Sequence, residues 1–333
     1  MRAQPITLPR TVVAPRASLW GRIRAHAWSY LYVAPMVILL FAFTIYPSVA
    51  SLGYTLFTWD GLGSPSAFVG LGNFQQVIGD PIFWQAFEHT FVYAGILVPV
   101  QLALALVLAL VLNNPRLRGR TFYRAVYFIP VVTAPAVIGV VVQLILTNFG
   151  DNINQLLLNA HLIQSQSHID WLGDPHTALY VIIAVGIWNT LGYNLIYFLA
   201  GLQSVPAELY EAARLDGAGA LAQLVYITVP MLRAVGLVIL VLAILGSLQV
   251  FDLVRVLTPG GGPLFSTEVV NTYIYRQAFN PANGASPNVG FASAASFFYG
   301  LILLAITALL GVARYAARRR AAPPTWASSR RPM

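Results

Sequence analysis

The chain has 333 residues, of which 58% are hydrophobic and only 9% are charged, and its mean hydropathy is +0.70. A soluble domain usually carries about 25% charged residues, so this composition excludes an ordinary water-soluble protein and predicts that lipid surrounds much of the chain. There is no cysteine, which excludes disulfides, thiolate metal sites and cysteine nucleophiles. All 19 basic residues are arginines, so the usual lysine-containing loop that binds ATP is also excluded.

Six stretches lack any charged side chain and are long enough to cross a bilayer, which takes about 20 residues. Backbone polar groups find no water in lipid and no stretch alternates with period two, so helices are predicted and a β-barrel is not. The last stretch begins with loop residues, so its span should begin near Phe291. The predicted spans lie within 27–59, 90–115, 125–150, 177–207, 234–251 and 277–313.

The distribution of arginine predicts the orientation. Seventeen of the 19 arginines lie in the two terminal tails and in the second and fourth connections, and only Arg255 and Arg276 lie in the others. Basic residues accumulate on the cytoplasmic side of a membrane. We therefore predict cytoplasmic tails at 1–26 and 317–333, on either side of a transmembrane domain at 27–316. The net charge of +8 is explained by this topology, so no nucleic-acid partner is predicted.

Polar side chains cluster in the fourth span, where they are costly unless they have a role. Asn189, Tyr193 and Tyr197 are spaced at i, i+4 and i+8 and share one helix face, with Asn194 close by. Amide and tyrosine groups can bind sugar hydroxyls and stack on a sugar ring. Hydrogen bonding between helices is an equally good explanation of these residues.

A short charged helix is predicted in the fourth connection, within "SVPAELYEAARLDGAG". Pro206 suits its first position, Glu208 and Glu211 suit the positive end of the helix dipole, and Gly217 can adopt the left-handed conformation that ends a helix. A helix lying at the membrane interface is the simpler interpretation of these local features.

The spacing in this connection resembles the EAA loop of the permease subunits of bacterial ABC importers. The pattern is Glu211-Ala212-Ala213, three residues, Gly217, nine residues, Ile227, one residue and then Val229-Pro230. In that family the loop, here 204–233, docks on the ATP-binding subunit. The resemblance therefore implies coupling to the ATPase for Glu208, Glu211, Ala212, Ala213, Arg214, Asp216 and Gly217.

Four further segments, in the expected order, resemble the sugar-importer permeases of the glycerol-phosphate and oligosaccharide branch, which includes the maltose transporter. They are "FVGLGNFQQVIGDPIFWQAFEHTFVY" (68–93), "RTFYRAVYFIPVVTAPAVIG" (120–139), "WNTLGYNLIYFLAGLQSVPAELYEAARLDGAGA" (188–220) and "SLQVFDLVRVLTPGGGP" (247–263).

The resemblance implies an all-α membrane protein with the six-helix type I ABC importer permease fold, in the bacterial cytoplasmic membrane. It implies a non-catalytic subunit that binds no cofactor and moves a carbohydrate or polyol. The implied partners are an ATPase dimer that uses ATP and magnesium, a second homologous permease, a solute-binding protein and membrane lipid. An ion-coupled transporter is the alternative, but such proteins usually carry acids or histidines within their spans. A membrane-embedded enzyme would need a convergent catalytic set, and none is recognisable.

The end of the fifth span carries Ser247 and Gln249, which the resemblance places on the solute path. Asp252 and Arg255 are three residues apart, and we expect them to pair with each other. The following "TPGGGP" lacks the lysine of a phosphate-binding loop and is predicted to form a tight turn. The histidines and aspartates of the third connection match no metal-ligand spacing, so no metal site is predicted; they are His161, His168, Asp170, Asp174 and His176.

Overall fold

The computed structural model describes residues 27–163, 169–281 and 284–321, and His168 lies outside the described residues. The chain divides into two compact units, Met1–Gly53 and Tyr54–Met333. In the described part of the first unit, helix α1 (Ala27–Leu40) runs through a π-helical turn (Phe41–Ile45) into α2 (Tyr46–Tyr54). No described side chain from Trp28 to Gly53 is buried.

Within the described residues, six helices are long and apolar enough to cross a membrane, which agrees with the predicted number of spans. The second and fourth begin and end within nine residues of their predicted limits, as α4 (Pro81–Leu112) and α7 (Ala178–Gln203). The last helix, α13 (Val289–Ala321), begins close to the predicted Phe291. The six are Trp28–Tyr54, Pro81–Leu112, Pro135–Asn159, Ala178–Gln203, Ala220–Leu257 and Val289–Ala308.

The prediction of one continuous third span over 125–150 was wrong. An amphipathic helix, α5 (Arg120–Val132), ends before Thr133, and α6 (Pro135–Asn159) begins two residues later. Both intervening residues are extended, with ψ of 132°. Proline disfavours helical geometry in the residue before it, so Pro135 ends one helix and begins the next.

The fifth span is longer than the predicted 234–251. Helix α9 (Ala220–Gln223) passes through a π-helical turn (Leu224–Thr228) into α10 (Val229–Leu248). Pro230 has no backbone N–H to donate, and the π-helical turn just before it shifts the register of the helical hydrogen bonds. The helix therefore passes through Pro230, which lies within the predicted loop at 204–233.

The second and fourth spans, α4 and α7, pack along each other and form the centre of the second unit. Tyr93, Leu97 and Val98 of α4 are buried against Ile182 and Ile183 of α7. A second apolar cluster continues toward the end of α7 that precedes the EAA loop and includes side chains of α10. These three helices therefore hold the polar residues predicted on the fourth and fifth spans at fixed relative positions.

The other end of this unit is covered by short elements. A two-residue hairpin pairs β1 (Phe57–Thr58) with β2 (Ala67–Phe68). Helices α3 (Gly72–Gly79) and α12 (Val270–Phe279) pack with the beginnings of α4 and α13 around a third apolar cluster. Asp80 connects two of these elements, because it accepts hydrogen bonds from Ile82 N and, at 2.5 Å, from Tyr273 Oη.

Candidate functional site: a polar cavity and the EAA loop

A cavity of about 430 Å³ lies between α4, α7, α10 and the residues that follow α10, which include the start of helix α11 (Asp252–Leu257). It is large enough to hold a sugar-sized ligand. The six residues predicted on the solute path all lie in its wall, although they come from two helices of the chain: Asn189, Tyr193, Asn194, Tyr197, Ser247 and Gln249.

The two asparagines and the serine in this wall have hydrogen-bond partners within the protein. Asn189 is buried and donates from Nδ2 to the carbonyl oxygen of Pro130, at 2.8 Å. That carbonyl lies in the last turn of α5, where carbonyl groups lack helical partners. Ser247 donates to Ile244 O at 2.8 Å, and Asn194 makes a longer bond, 3.4 Å, to Thr190 O. These polar groups stabilise the helices that carry them.

The two tyrosines of the same helix face are arranged differently. The side chain of Tyr193 is 51% exposed and that of Tyr197 is 42% exposed. The Tyr193 ring meets the ring of Phe128 edge-on, with 6.4 Å between centroids. Both tyrosines therefore line the cavity with much of their surface exposed.

The structure adds cavity residues that the predicted site did not include. Tyr93 and Gln101 reach the cavity from the second span, and Thr190 donates from Oγ1 to Gln101 Oε1, at 2.5 Å. The sequence does indicate a role for Gln101, because it is a lone polar side chain within the apolar segment "VPVQLALALVLALV". Nothing in the local sequence pairs it with Thr190, which is 89 residues away.

The expected pairing of Asp252 with Arg255 was wrong. Both residues are described, and no salt bridge joins them. The guanidinium of Arg255 instead lies over the ring of Tyr275, with its Cζ atom 5.2 Å from the centroid. Guanidinium is weakly hydrated and stacks well on aromatic rings. Asp252 lies in the wall of the cavity and is exposed.

The predicted charged helix of the fourth connection is α8 (Ala207–Leu215). It begins one residue later than predicted, because Pro206 has an extended ψ of 130° and is the cap, not the first helical residue. Gly217 has a φ of +79°, which is the predicted left-handed helix stop. Ala218 N then donates to Ala213 O at 2.8 Å, which closes the end of the helix.

Helix α8 is held from one side and exposed on the other. Tyr210 Oη lies 3.0 Å from Thr228 Oγ1, which connects α8 to the π-helical turn of the fifth span. Large apolar side chains are exposed next to it, with Leu215 90% and Tyr226 79% exposed. Of the residues predicted to couple to the ATPase, Ala213 is half-buried and the rest are exposed: Glu208, Glu211, Ala212, Arg214, Asp216 and Gly217.

Comparison with known proteins gives the same family as the sequence motifs. Residues 101–322 match the family described as "Binding-protein-dependent transport system inner membrane component". The chain is 35% identical over 306 residues to the lactose transport system permease protein LacF of Rhizobium radiobacter. This alignment covers 92% of this chain and 98% of LacF. It is 33% identical over 278 residues to the trehalose/maltose transport system permease protein MalF of Thermococcus litoralis, which covers 84% of this chain and 90% of MalF.

The fold is similar to that of a solved bacterial alginate ABC transporter, in a crystal structure of its complex with an alginate pentasaccharide-bound periplasmic protein. The TM-score is 0.73 at 22% sequence identity, over 88% of this chain and 96% of the matched one. The predicted all-α type I permease fold is therefore confirmed. The chain belongs to the family of binding-protein-dependent transport system inner membrane components, the multi-pass permease subunits of ABC transporters.

Proposed function

We propose that this chain is one of two permease subunits of an ABC importer that moves a carbohydrate or related polyol across the bacterial cytoplasmic membrane. A solute-binding protein delivers the solute, and a separate ATPase dimer hydrolyses ATP with magnesium. This chain itself binds no cofactor and catalyses no reaction.

The cavity is the observation that carries the carbohydrate assignment. Tyr193 and Tyr197 offer the aromatic faces and hydroxyls that a sugar uses, and Gln101 and Gln249 add amides. The lining, all of it described, contains no arginine, lysine or histidine, and its one charged residue is Asp252, whose carboxylate can accept hydrogen bonds from sugar hydroxyls. Its polar groups are therefore suited to hydroxyl-rich solutes. The family relatives named for lactose and for trehalose or maltose support the same class.

The exposed helix α8 supports the coupling to an ATPase. A short helix that is fixed at Tyr210 and exposed on its other face can transmit movement of a docked partner to the fifth span. Glu211 can accept hydrogen bonds from that partner, and Leu215 and Tyr226 provide apolar contact area. Because one chain supplies one such helix, two permeases are needed to engage both ATPase subunits.

The proposed orientation places α8 and both termini in the cytoplasm, as the arginine distribution predicts. The proposed organisation is a six-helix transmembrane domain at 27–316 between two cytoplasmic tails, with the coupling loop at 204–233. The last helix continues to Ala321, so the second tail would begin as a helical extension.

Reconstitution tests the proposal against the ion-coupled alternative. The chain would be purified with its second permease and ATPase, placed in proteoliposomes, and supplied with the solute-binding protein and radiolabelled lactose, maltose or glycerol 3-phosphate. We expect uptake of one of these solutes that requires both ATP and the binding protein and persists when a protonophore and a sodium ionophore collapse the proton and sodium gradients. Uptake that needs an ion gradient but no ATP would refute the proposal.

A further inference from the structure

The "TPGGGP" loop that follows the fifth span displays one apolar side chain in a strained conformation. The loop forms the predicted turn, and its backbone is left-handed at Gly260 and again at Leu264. Leu264 and Phe265 have φ of +53° and +60°, which L-residues other than Asn and Asp rarely adopt. Leu264 is 83% exposed. Strain of this kind persists only where surrounding structure imposes it, and it is concentrated at functional positions.

The residues beneath Leu264 are fixed by buried polar contacts. Thr267 is fully buried and donates from Oγ1 to Gly261 O or to Thr258 Oγ1, at 2.9 and 2.7 Å. Gly262 has a φ of +72°, and a Cβ atom there would lie 2.3 Å from Thr267 Oγ1. Replacing this glycine would therefore displace the loop.

A buried ion pair supports the other side of the loop. Arg276 donates from Nε and Nη2 to the two carboxylate oxygens of Glu268, at 2.6 and 2.8 Å. Its guanidinium lies over the ring of Phe265, with Cζ 4.7 Å from the centroid. Burial raises the pKa of the Glu268 carboxyl, and the hydrogen bonds from Arg276 oppose that rise. Phe265, next to Leu264, therefore packs against a guanidinium group that is itself held by two hydrogen bonds to Glu268.

We propose that Leu264 is a preformed contact for the solute-binding protein. This inference rests on the proposed function and adds a specific docking point to it. The "TPGGGP" loop and the EAA loop are at opposite ends of the fifth span. If α8 is cytoplasmic, the "TPGGGP" loop therefore lies on the side of the membrane where the binding protein docks. Irregular backbone is not exposed to hydrocarbon, which excludes acyl chains as the partner of a loop with exposed Gly260 and Leu264.

Rigidity favours the binding protein over the second permease as the partner. A partner that docks and leaves in every cycle binds more tightly when the contact is already held in its bound shape, because no ordering is needed at each encounter. A permanent partner could order this loop once, during assembly, and would not need a strained loop in the free chain.

Titration of the purified complex in nanodiscs with solute-loaded binding protein tests this inference, with ATP hydrolysis as the readout. Leu264→Asn removes the apolar side chain but keeps a residue that tolerates positive φ. We expect the half-saturating concentration of binding protein to rise about tenfold, equal to about 1.4 kcal/mol, with unchanged hydrolysis in its absence. Leu264→Met should behave like the wild type, and so should Leu62→Asn, which alters a leucine that is 79% exposed in the hairpin loop.

The inference is overturned if Leu264→Asn titrates like the wild type, or if Leu264→Met or Leu62→Asn shifts the curve equally. The chain has no cysteine, so Leu264→Cys can also carry a single benzophenone photocrosslinker. We expect an adduct with the purified binding protein, and an adduct only with the second permease would refute the assignment. If binding protein does not stimulate even the wild-type complex, the proposed function itself fails.

Discussion

Replacing Tyr193 with alanine tests whether the fourth-span face binds the solute or only packs. Tyr193 lines the cavity and is 51% exposed, and its described ring contact is a T-shaped pair with Phe128. Loss of one aromatic pair costs about 0.5–1.5 kcal/mol, so the complex should still assemble. A hydroxyl hydrogen bond and ring contact with the solute together contribute about 1–2 kcal/mol. Transport per assembled complex should therefore fall about 5- to 30-fold.

Asn189→Ala is the matched control on the same helix face. It leaves the Pro130 carbonyl without its described partner, and an unsatisfied buried group costs about 1–3 kcal/mol. We expect a lower melting temperature and less assembled complex, with smaller loss of transport per complex than in Tyr193→Ala.

Radiolabelled uptake, normalised to complex recovered by size-exclusion chromatography, separates the two effects. Stimulation of ATP hydrolysis by the loaded binding protein should largely survive in Tyr193→Ala. If this variant instead loses assembly while each remaining complex transports at the wild-type rate, Tyr193 is structural and the reasoning is wrong.

Three further predictions concern other parts of the chain. Gly217→Val should impair coupled uptake because its φ of +79° costs a side chain about 1–2 kcal/mol, whereas Gly217→Asn should retain activity; equal uptake by both would contradict this. In intact cells, an impermeant thiol reagent should label Ser64→Cys but not Arg118→Cys, and the reverse would invert the topology. Arg276→Met leaves the buried Glu268 unpaired and should destabilise the protein by about 3–5 kcal/mol; an unchanged melting temperature of the complex would refute that role.

Features that depend on neighbouring residues were predictable from the sequence. The six apolar helices follow from the length of uncharged stretches, since the bilayer requires about 20 such residues wherever they occur. The termination of α8 just before Gly217 follows from the conformational freedom of that one residue. The break in the third span was also local, because Pro135 determines it, but counting charges alone does not reveal it.

The sequence by itself therefore determined the number of spans, the family and the common face of Asn189, Tyr193 and Tyr197. Only the tertiary structure decided which of these polar groups are already hydrogen-bonded within the protein. Asn189 donates a hydrogen bond to a carbonyl 59 residues away, and Gln101 accepts one from Thr190, which is 89 residues away. Helix periodicity shows which residues share a face, but whether a polar group bonds to protein or is left for a ligand depends on the helix packed against that face.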